Sequence, residues 1–281
     1  MNRKRLFNDK WYFSKTLPEV TWEEREKWQS MMEPVDLPHD WLIYNTLDLY
    51  ENSIGWYHRE FVLEEEFRDM SATEAANVFG GDAGRILLRF EGVYMDSTVY
   101  VNGKKVGDWK YGYSTFAFDV TEFLQPGKNE VVVKVVHIAP NSRWYSGAGI
   151  YRNVWLVYLP KVHIPMDGVY VSTKEVDGGY ELLVDTEIAW GSESVRAAEA
   201  EADGAKKAQI TTEQGKGYYL EYALYQEDKL ILTEKKPLTC GQAKDCRSFL
   251  VDNPKRWDIK EPNLYRLEVK LFETATIGEN N

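Results

Sequence analysis

Apolar and polar residues alternate with a period of two along most of this chain, in short runs closed by Gly, Pro, Asn or Asp, while sustained helical periodicity is nearly absent. The pattern predicts an all-β protein. In the first half the expected strands are Trp56 to Leu63, Arg85 to Glu91, Ser97 to Val101, Thr115 to Val120, Glu130 to Ile138 and Asn153 to Tyr158. Asn102-Gly103 stands between Val99-Tyr100-Val101 and Lys104-Lys105-Val106, and both turn residues tolerate positive φ, so a tight hairpin is expected there. Pro126-Gly127 marks a second turn. Thr21-x-x-Glu24, ahead of Trp22, Arg25, Trp28 and Met32, reads as a capping box opening one short peripheral helix.

The pattern pauses near Pro160 to Pro165, and a second strand series follows: Gly168 to Thr173, Tyr180 to Trp190, Tyr218 to Gln226, Lys229 to Thr233, Arg247 to Val251 and Tyr265 to Phe272. Asp177-Gly178-Gly179 and Glu227-Asp228-Lys229 fall where hairpin turns belong. So many short strands over roughly 115 residues fit an immunoglobulin-like sandwich, without the Cys and Trp spacing of antibody domains. The expected domains are therefore 1–162 and 163–281. Two stretches interrupt the series. Met70 to Gly84, rich in Ala and Gly, reads as an insertion, and Gly191 to Gly217 as a mobile loop, with a short helix around Val195 to Ala202 as the alternative.

Bulk properties narrow the function. A chain of 281 residues with 45 acidic against 34 basic side chains and a net charge of -11 repels a phosphate backbone, so nucleic acid is not an expected partner. No stretch approaches the roughly 20 apolar residues of a membrane helix. The basic start Met1-Asn2-Arg3-Lys4-Arg5 runs into Leu6-Phe7-Asn8-Asp9 without the apolar core of a signal peptide, so no membrane association and a cytoplasmic location are expected. Cys240 and Cys246 read as two reduced thiols. His39, His58, His137 and His163 lack metal-ligand spacing, and Gly80-Gly81-Asp82-Ala83-Gly84 lacks the Lys-Ser/Thr helix of a phosphate loop, so no metal and no cofactor are expected. The ten Trp, eighteen Tyr and eleven Phe suit sandwich cores first and sugar stacking second.

Several segments, in order, resemble the N-terminal sugar-binding domain of family 2 glycoside hydrolases. They are Asn8-Asp9-Lys10-Trp11-Tyr12-Phe13, Leu37-Pro38-His39-Asp40-Trp41, Gly55-Trp56-Tyr57-His58-Arg59-Glu60-Phe61, Phe90-Glu91-Gly92-Val93, Tyr100-Val101-Asn102-Gly103, Gly112-Tyr113 through Phe118-Asp119-Val120-Thr121, and Arg143 to Arg152. Arg256-Trp257-Asp258 with Glu261-Pro262-Asn263-Leu264-Tyr265 is similar to the approach to the last strand of that family's immunoglobulin-like domain. The resemblance implies a jelly-roll (galactose-binding-like) sandwich, then an immunoglobulin-like sandwich, then a (β/α)8 barrel carrying the catalytic glutamates. Such a barrel needs about 250 residues, and after Phe272 only Glu273 to Asn281 remain, so a fragment lacking the barrel and the last return strand is expected.

No catalytic carboxylate pair stands out among the acids. The resemblance points instead to loop residues that would reach a neighbouring barrel's pocket. Asn52, in Glu51-Asn52-x-x-Gly55-x-Tyr57, matches a loop through which family β-galactosidases place an asparagine beside the sugar; its plain alternative is a turn residue before a strand. Arg143, Trp144 and Tyr145 combine a charged donor with two rings. The best-known β-galactosidases carry an acid where Arg143 falls, so a β-glucuronidase is the alternative to a β-galactosidase. His39 and Asp40 are either pocket-rim groups or a loop lock. The expected partners are a carbohydrate substrate, the barrel and a further copy in a homo-oligomer. A free-standing carbohydrate-binding module and an adhesive tandem of sandwiches are the competing readings. The Arg143 to Arg152 segment favours the hydrolase.

Overall fold

The computed structural model describes residues 3–44, 46–66, 84–141, 146–191 and 217–274. The insertion expected at 70–84 and the loop or helix expected within 191–217 lie almost wholly outside them. The chain divides into two compact units, Asn2–Pro160 and the residues from Lys161 onward.

Among the described residues, ten strands build the first unit: β1 (Arg3–Leu6), β2 (Trp11–Thr16), β3 (Glu33–Val35), β4 (Ser53–Val62), β5 (Arg85–Phe90), β6 (Ser97–Val101), β7 (Lys104–Trp109), β8 (Phe116–Asp119), β9 (Lys128–His137) and β10 (Val154–Leu159). They form two antiparallel sheets, ordered β1-β10-β5-β8 and β3-β2-β4-β9-β6-β7. Between the sheets lies a core that includes Trp11, Tyr57, Leu88, Phe90, Val133 and Leu156. Asn102 and Gly103 take φ of 49° and 77° in the β6–β7 hairpin, both in the left-handed region that this turn demands.

At β4 the six-stranded sheet is covered on both faces, which explains why alternation fades there. Gly55, Tyr57, Arg59 and Phe61 alternate with Ile54 and Trp56, and all of these are buried. A second cluster covers the outer face, where Trp28 stacks on Trp56 with centroids 4.7 Å apart and planes 2° from parallel. The capping signal at Thr21 yields a 3-10 turn over Trp22–Glu24 running into the five-residue helix α1 (Arg25–Gln29), and the Glu24 carboxylate accepts the Thr21 N–H at 3.0 Å. This short element exists because it lays Trp28 over the sheet; so few residues do not sustain a helix alone. A second short helix, α2 (Leu63–Glu66), follows β4 and was not expected; its Glu66 pairs with the buried Arg59 at 2.5 Å.

The second unit contains β11 (Val169–Val176), β12 (Gly179–Glu187), β13 (Tyr218–Gln226), β14 (Lys229–Leu238), β15 (Lys244–Asp252) and β16 (Tyr265–Glu273). Two three-stranded antiparallel sheets result, ordered β11-β12-β15 and β14-β13-β16. Val184, Leu220, Tyr222, Leu224 and Phe249 centre the core between them. Gly178 and Glu227 adopt positive φ in the two expected hairpins. The buried Tyr222 hydroxyl donates to Asp245 Oδ2 at 2.9 Å and lies 3.2 Å from Thr186 Oγ1, tying the two sheets together at a polar point inside the core. Cys240 and Cys246 are not disulfide-bonded.

Replacing Tyr222 by Phe keeps the ring and removes the hydroxyl, which leaves the buried Asp245 carboxylate one donor short. We expect a loss of about 1–2 kcal/mol, read as a lower urea midpoint with an unchanged slope.

Candidate loop-end site

The functional candidates gather where loops join the strands at one end of the first unit. Leu37 to Tyr44 lies beside residues 146–150 like a short ladder: the His39 N–H donates to the Ile150 carbonyl at 2.8 Å and the Trp41 N–H to the Ala148 carbonyl at 3.0 Å. Asp40 Oδ1 accepts the N–H groups of Leu42 and Ala148, each at 3.0 Å. Within the Arg143 to Arg152 segment, Gly147-Ala148-Gly149 has a steric reason for its two glycines. A Cβ at Gly147 would come within 2.1 Å of Asp40 Oδ2, and one at Gly149, where φ is +135°, within 2.4 Å of the His39 carbonyl oxygen and 2.5 Å of the Tyr57 hydroxyl. Only glycine lets the backbone approach so closely.

His39 is 8% exposed, with Nδ1 2.7 Å from the Tyr57 hydroxyl and the Phe13 ring 4.7 Å away. Burial lowers its pKa below the ordinary 6.5, while the adjacent Asp40 carboxylate opposes this. The imidazole is therefore held neutral. Tyr57 is fully buried, and burial pushes its hydroxyl well above the usual phenol range, so it stays protonated. His39 and Asp40 thus form the lock between two loops. The Tyr44 ring, 75% exposed, sits 5.7 Å from His39 and continues the same surface outward.

Asn52 stands exposed immediately before β4, and its Oδ1 accepts the Ala139 N–H at 2.7 Å. The expected amide that both donates and accepts is thereby halved. Its carbonyl anchors the neighbouring loop, and Nδ2 has no partner among the described residues. Glu51 braces the same spot through Lys15 at 2.9 Å, the Ser53 hydroxyl at 3.0 Å, and its main-chain carbonyl 2.7 Å from His137 Nδ1. Burial opposes the Glu51 charge, but the hydrogen bonds from Lys15 and Ser53 win and hold its carboxyl below the usual range.

Arg143, Trp144 and Tyr145 lie outside the described residues, and the structure describes the two ends of their loop. Asn141 Oδ1 accepts the Ser146 and Tyr94 hydroxyls, each at 3.2 Å, and Asn141 Nδ2 donates to the Ile138 carbonyl at 3.0 Å. Beside Tyr94 stand two tyrosines that were not among the expected site residues, Tyr113 having entered only as part of the Gly112-Tyr113 motif. Tyr113 meets Tyr94 edge-on at 5.2 Å and Tyr111 at 5.9 Å; Tyr111 and Tyr113 are 63% and 44% exposed. The Tyr151 hydroxyl pins the intervening Gly112 carbonyl at 2.8 Å. Tyrosines flanking a glycine were the available signal. The resulting end surface offers an anchored amide donor and tyrosine faces, a combination suited to a polyhydroxylated ligand. Among the described residues no cluster of His, Cys, Asp or Glu could hold a metal ion.

Residues 43–160 match the model of the sugar-binding domain of glycosyl hydrolases family 2, and residues 167–279 match a second model described as glycosyl hydrolases family 2. The chain is 31% identical over 261 residues to a β-galactosidase from Bacteroides ovatus, an alignment covering 85% of this chain and 26% of that protein. It is 26% identical over 260 residues to a β-glucuronidase from Bacteroides fragilis, covering 85% and 32%. The crystal structure of a Bacteroides uniformis β-glucuronidase superposes with a TM-score of 0.68 at 26% identity, over 96% of this chain and 30% of that one. The chain thus spans between 26% and 32% of the length of these curated relatives.

Two consequences of the lock are measurable. Gly149→Ala places a methyl group against two fixed oxygens in a disfavoured backbone region, and we expect about 2–4 kcal/mol of destabilisation in a denaturant titration. The His39 pKa is lower folded than unfolded, so the unfolded chain binds the extra proton. Stability is then intact above the unfolded value near 6.5 and falls as pH drops below it toward the lowered folded value. Urea midpoints measured at about pH 8 and about pH 5 should show that fall, and His39→Gln should remove part of it.

Proposed function

The chain belongs to glycoside hydrolase family 2, the family of both models that together span most of its length, and from that premise we propose that its loop end lines the rim of a sugar pocket. The pocket's two carboxylates would stand on a (β/α)8 barrel. The described residues are accounted for by two sandwich units, whereas a barrel requires about 250 residues of alternating strand and helix. In this reading the present residues are the non-catalytic N-terminal part of a retaining glycosidase whose carboxyl groups lie about 5–5.5 Å apart elsewhere. Terminal β-linked sugars are the proposed substrate class, and β-galactosidase the proposed activity.

One observation carries the rim assignment: the Asn52 carboxamide is fixed through Oδ1 to Ala139 N–H while Nδ2 has no partner among the described residues. A donor whose orientation is already set loses little freedom on meeting a sugar oxygen, which is how a rim residue adds affinity without taking part in bond cleavage. A β-glucuronidase is the second reading. It draws support from Arg143, whose guanidinium suits a carboxylated sugar, and from the similarity to the Bacteroides fragilis β-glucuronidase.

The test is hydrolysis of nitrophenyl β-galactoside and β-glucuronide, by this chain alone and by a polypeptide extending it through a downstream barrel. We expect no turnover by the chain alone and turnover of the galactoside by the longer form. In that longer form Asn52→Ala should lower kcat/KM about 10–100-fold, the loss of one well-placed hydrogen bond. Turnover by the chain alone would overturn the reading, and preference for the glucuronide would replace the first sugar with the second.

A further inference from the structure

Asn102-Gly103 forms the tip of the β6–β7 hairpin, between the paired residues Val101 and Lys104. An asparagine followed by glycine is also the pair in which a side-chain amide is lost most easily, because glycine leaves its main-chain nitrogen unshielded. The reaction is intramolecular. The Gly103 nitrogen attacks Asn102 Cγ, a bond forms between them, the Cγ–Nδ2 bond breaks, and Nδ2 departs as ammonia with the Gly103 proton. Water then opens the cyclic imide at either of its carbonyls. One opening gives aspartate; the other gives isoaspartate, with the main chain rerouted through Cγ. Water is the sole co-reactant.

Nothing on the glycine side hinders this attack: among the described residues, a Cβ at Gly103 would meet no atom within 4 Å. The Asn102 side is closed. Its Nδ2 donates to the Phe123 carbonyl and to Asn129 Oδ1, each at 2.8 Å, and its Oδ1 accepts the Glu130 N–H at 2.9 Å. A main-chain acceptor at one end and a main-chain donor at the other fix which way the carboxamide points. Asn129 is equally committed and is 1% exposed: its Oδ1 also accepts the Gln125 N–H at 2.9 Å, and its Nδ2 donates to the carbonyls of Gln125 and Gly127 at 2.8 and 3.0 Å. Attack needs Cγ to turn face-on to the Gly103 nitrogen and Nδ2 to leave. Neither happens until the three bonds to Asn102 open.

We propose that Asn102 is a latent deamidation site, closed while the hairpin tip is seated on Asn129 and reactive once it lifts, and that the product cannot reseat. In the aspartate product an oxygen replaces Nδ2, so both donated bonds are lost and a carboxylate faces two acceptors, the Phe123 carbonyl and Asn129 Oδ1. Asn129 cannot reverse its amide to supply a donor, because its three other bonds all run to main-chain groups that demand the present orientation. The isoaspartate product adds a carbon to the main chain inside a tight turn where Asn102 and Gly103 take φ of 49° and 77°. A reversible opening of one hairpin is thereby converted into a permanent loss of its anchor.

Peptide mapping by mass spectrometry after timed incubation at mildly alkaline pH tests this. The samples are the intact chain in buffer, the intact chain in urea, and a synthetic peptide spanning Val99 to Val106. We expect Asn102 in the native chain to deamidate roughly a hundredfold more slowly than in the peptide, since three hydrogen bonds must open first, and the urea-unfolded chain to match the peptide. Asn129→Ala withdraws the brace and should quicken the native reaction about tenfold while leaving the unfolded rate unchanged. Asn102→Asp, which makes one product directly, should lower the urea midpoint. Equal rates in the native chain and the peptide would overturn the closed site. So would a native rate unmoved by Asn129→Ala in a chain that circular dichroism shows to be folded; if that variant does not fold, the comparison with the peptide decides. A midpoint unchanged by Asn102→Asp would overturn the failure to reseat.

Discussion

Asp40 reaches across 108 residues of sequence to accept the Ala148 N–H, and the arrangement at the loop end depends on that contact. The carboxylate seats the 37–44 loop against the 146–150 segment. That seat is available only because Gly147 and Gly149 leave room for Asp40 Oδ2, the His39 carbonyl and the Tyr57 hydroxyl. Tyr94 pairs with Gly149 in both directions, at 2.9 and 2.8 Å, and carries the constraint onward to Asn141, which ties the two ends of the 142–145 loop. The loops that carry the other candidate contacts are thus held in place through this network. His39 belongs to the positioning set: in an apolar surround an imidazole is useful as a neutral, shaped hydrogen-bonding group, and its protonation is penalised by desolvation.

Rigid placement of these loops also needs a stiff platform, and the six-stranded sheet provides one by being covered twice. Tyr57 and Phe61 face the core between the sheets, while Trp56 on the same strand faces out and is sealed by Trp28. The cover is fastened electrostatically: Arg25 Nη1 and Nη2 both donate to the Glu130 carboxylate on β9, whose other neighbour is His58 Nε2 at 3.2 Å. Burial opposes the Glu130 charge, and the Arg25 hydrogen bonds prevail, keeping its carboxyl below the usual range. Loop residues adjoining such a strand, as Asn52 adjoins β4, inherit its immobility.

What could be read from the residues alone follows from what is local. The Asn102-Gly103 hairpin, the alternation in β9 and β13, and the two series of strands are determined within a few residues and appear in the structure as expected. The first three strands escaped because their pattern is set by distant partners. Trp11–Thr16 is buried at Trp11, Ser14 and Thr16, no period of two, since both of its faces are partly covered. The site was legible as a set of motifs and illegible as a mechanism of support. His39-Asp40 and Gly147-Ala148-Gly149 were each visible, but no spacing rule says that one fills the space the other leaves vacant. Asn52 was visible as an amide, and only the fold shows which half of it is occupied. Tyr111 was hidden among many aromatics and Tyr113 was visible only as part of a motif, because exposure, not identity, distinguishes them.

Two neighbouring polar groups on this surface differ in what the fold has already spent on them. Asn52 has committed its acceptor to Ala139 and Glu51 has committed its carboxylate to Lys15 and Ser53, so the described surface offers a donor and withholds the nearby acid. In the pocket-rim reading that asymmetry favours ligand atoms with available lone pairs, as hydroxyl and carboxylate oxygens both have. Discrimination between a neutral and a carboxylated sugar must then come from a charged group, and Arg143, which lies outside the described residues, is the candidate that the sequence offers. A guanidinium there would reward a carboxylate with two parallel hydrogen bonds, and it would leave a neutral sugar to pay for its desolvation. In the pocket-rim reading, sugar class and loop architecture are therefore separable: the glycine lock and the double-covered sheet hold the loops in place and do not themselves distinguish a neutral from a carboxylated sugar.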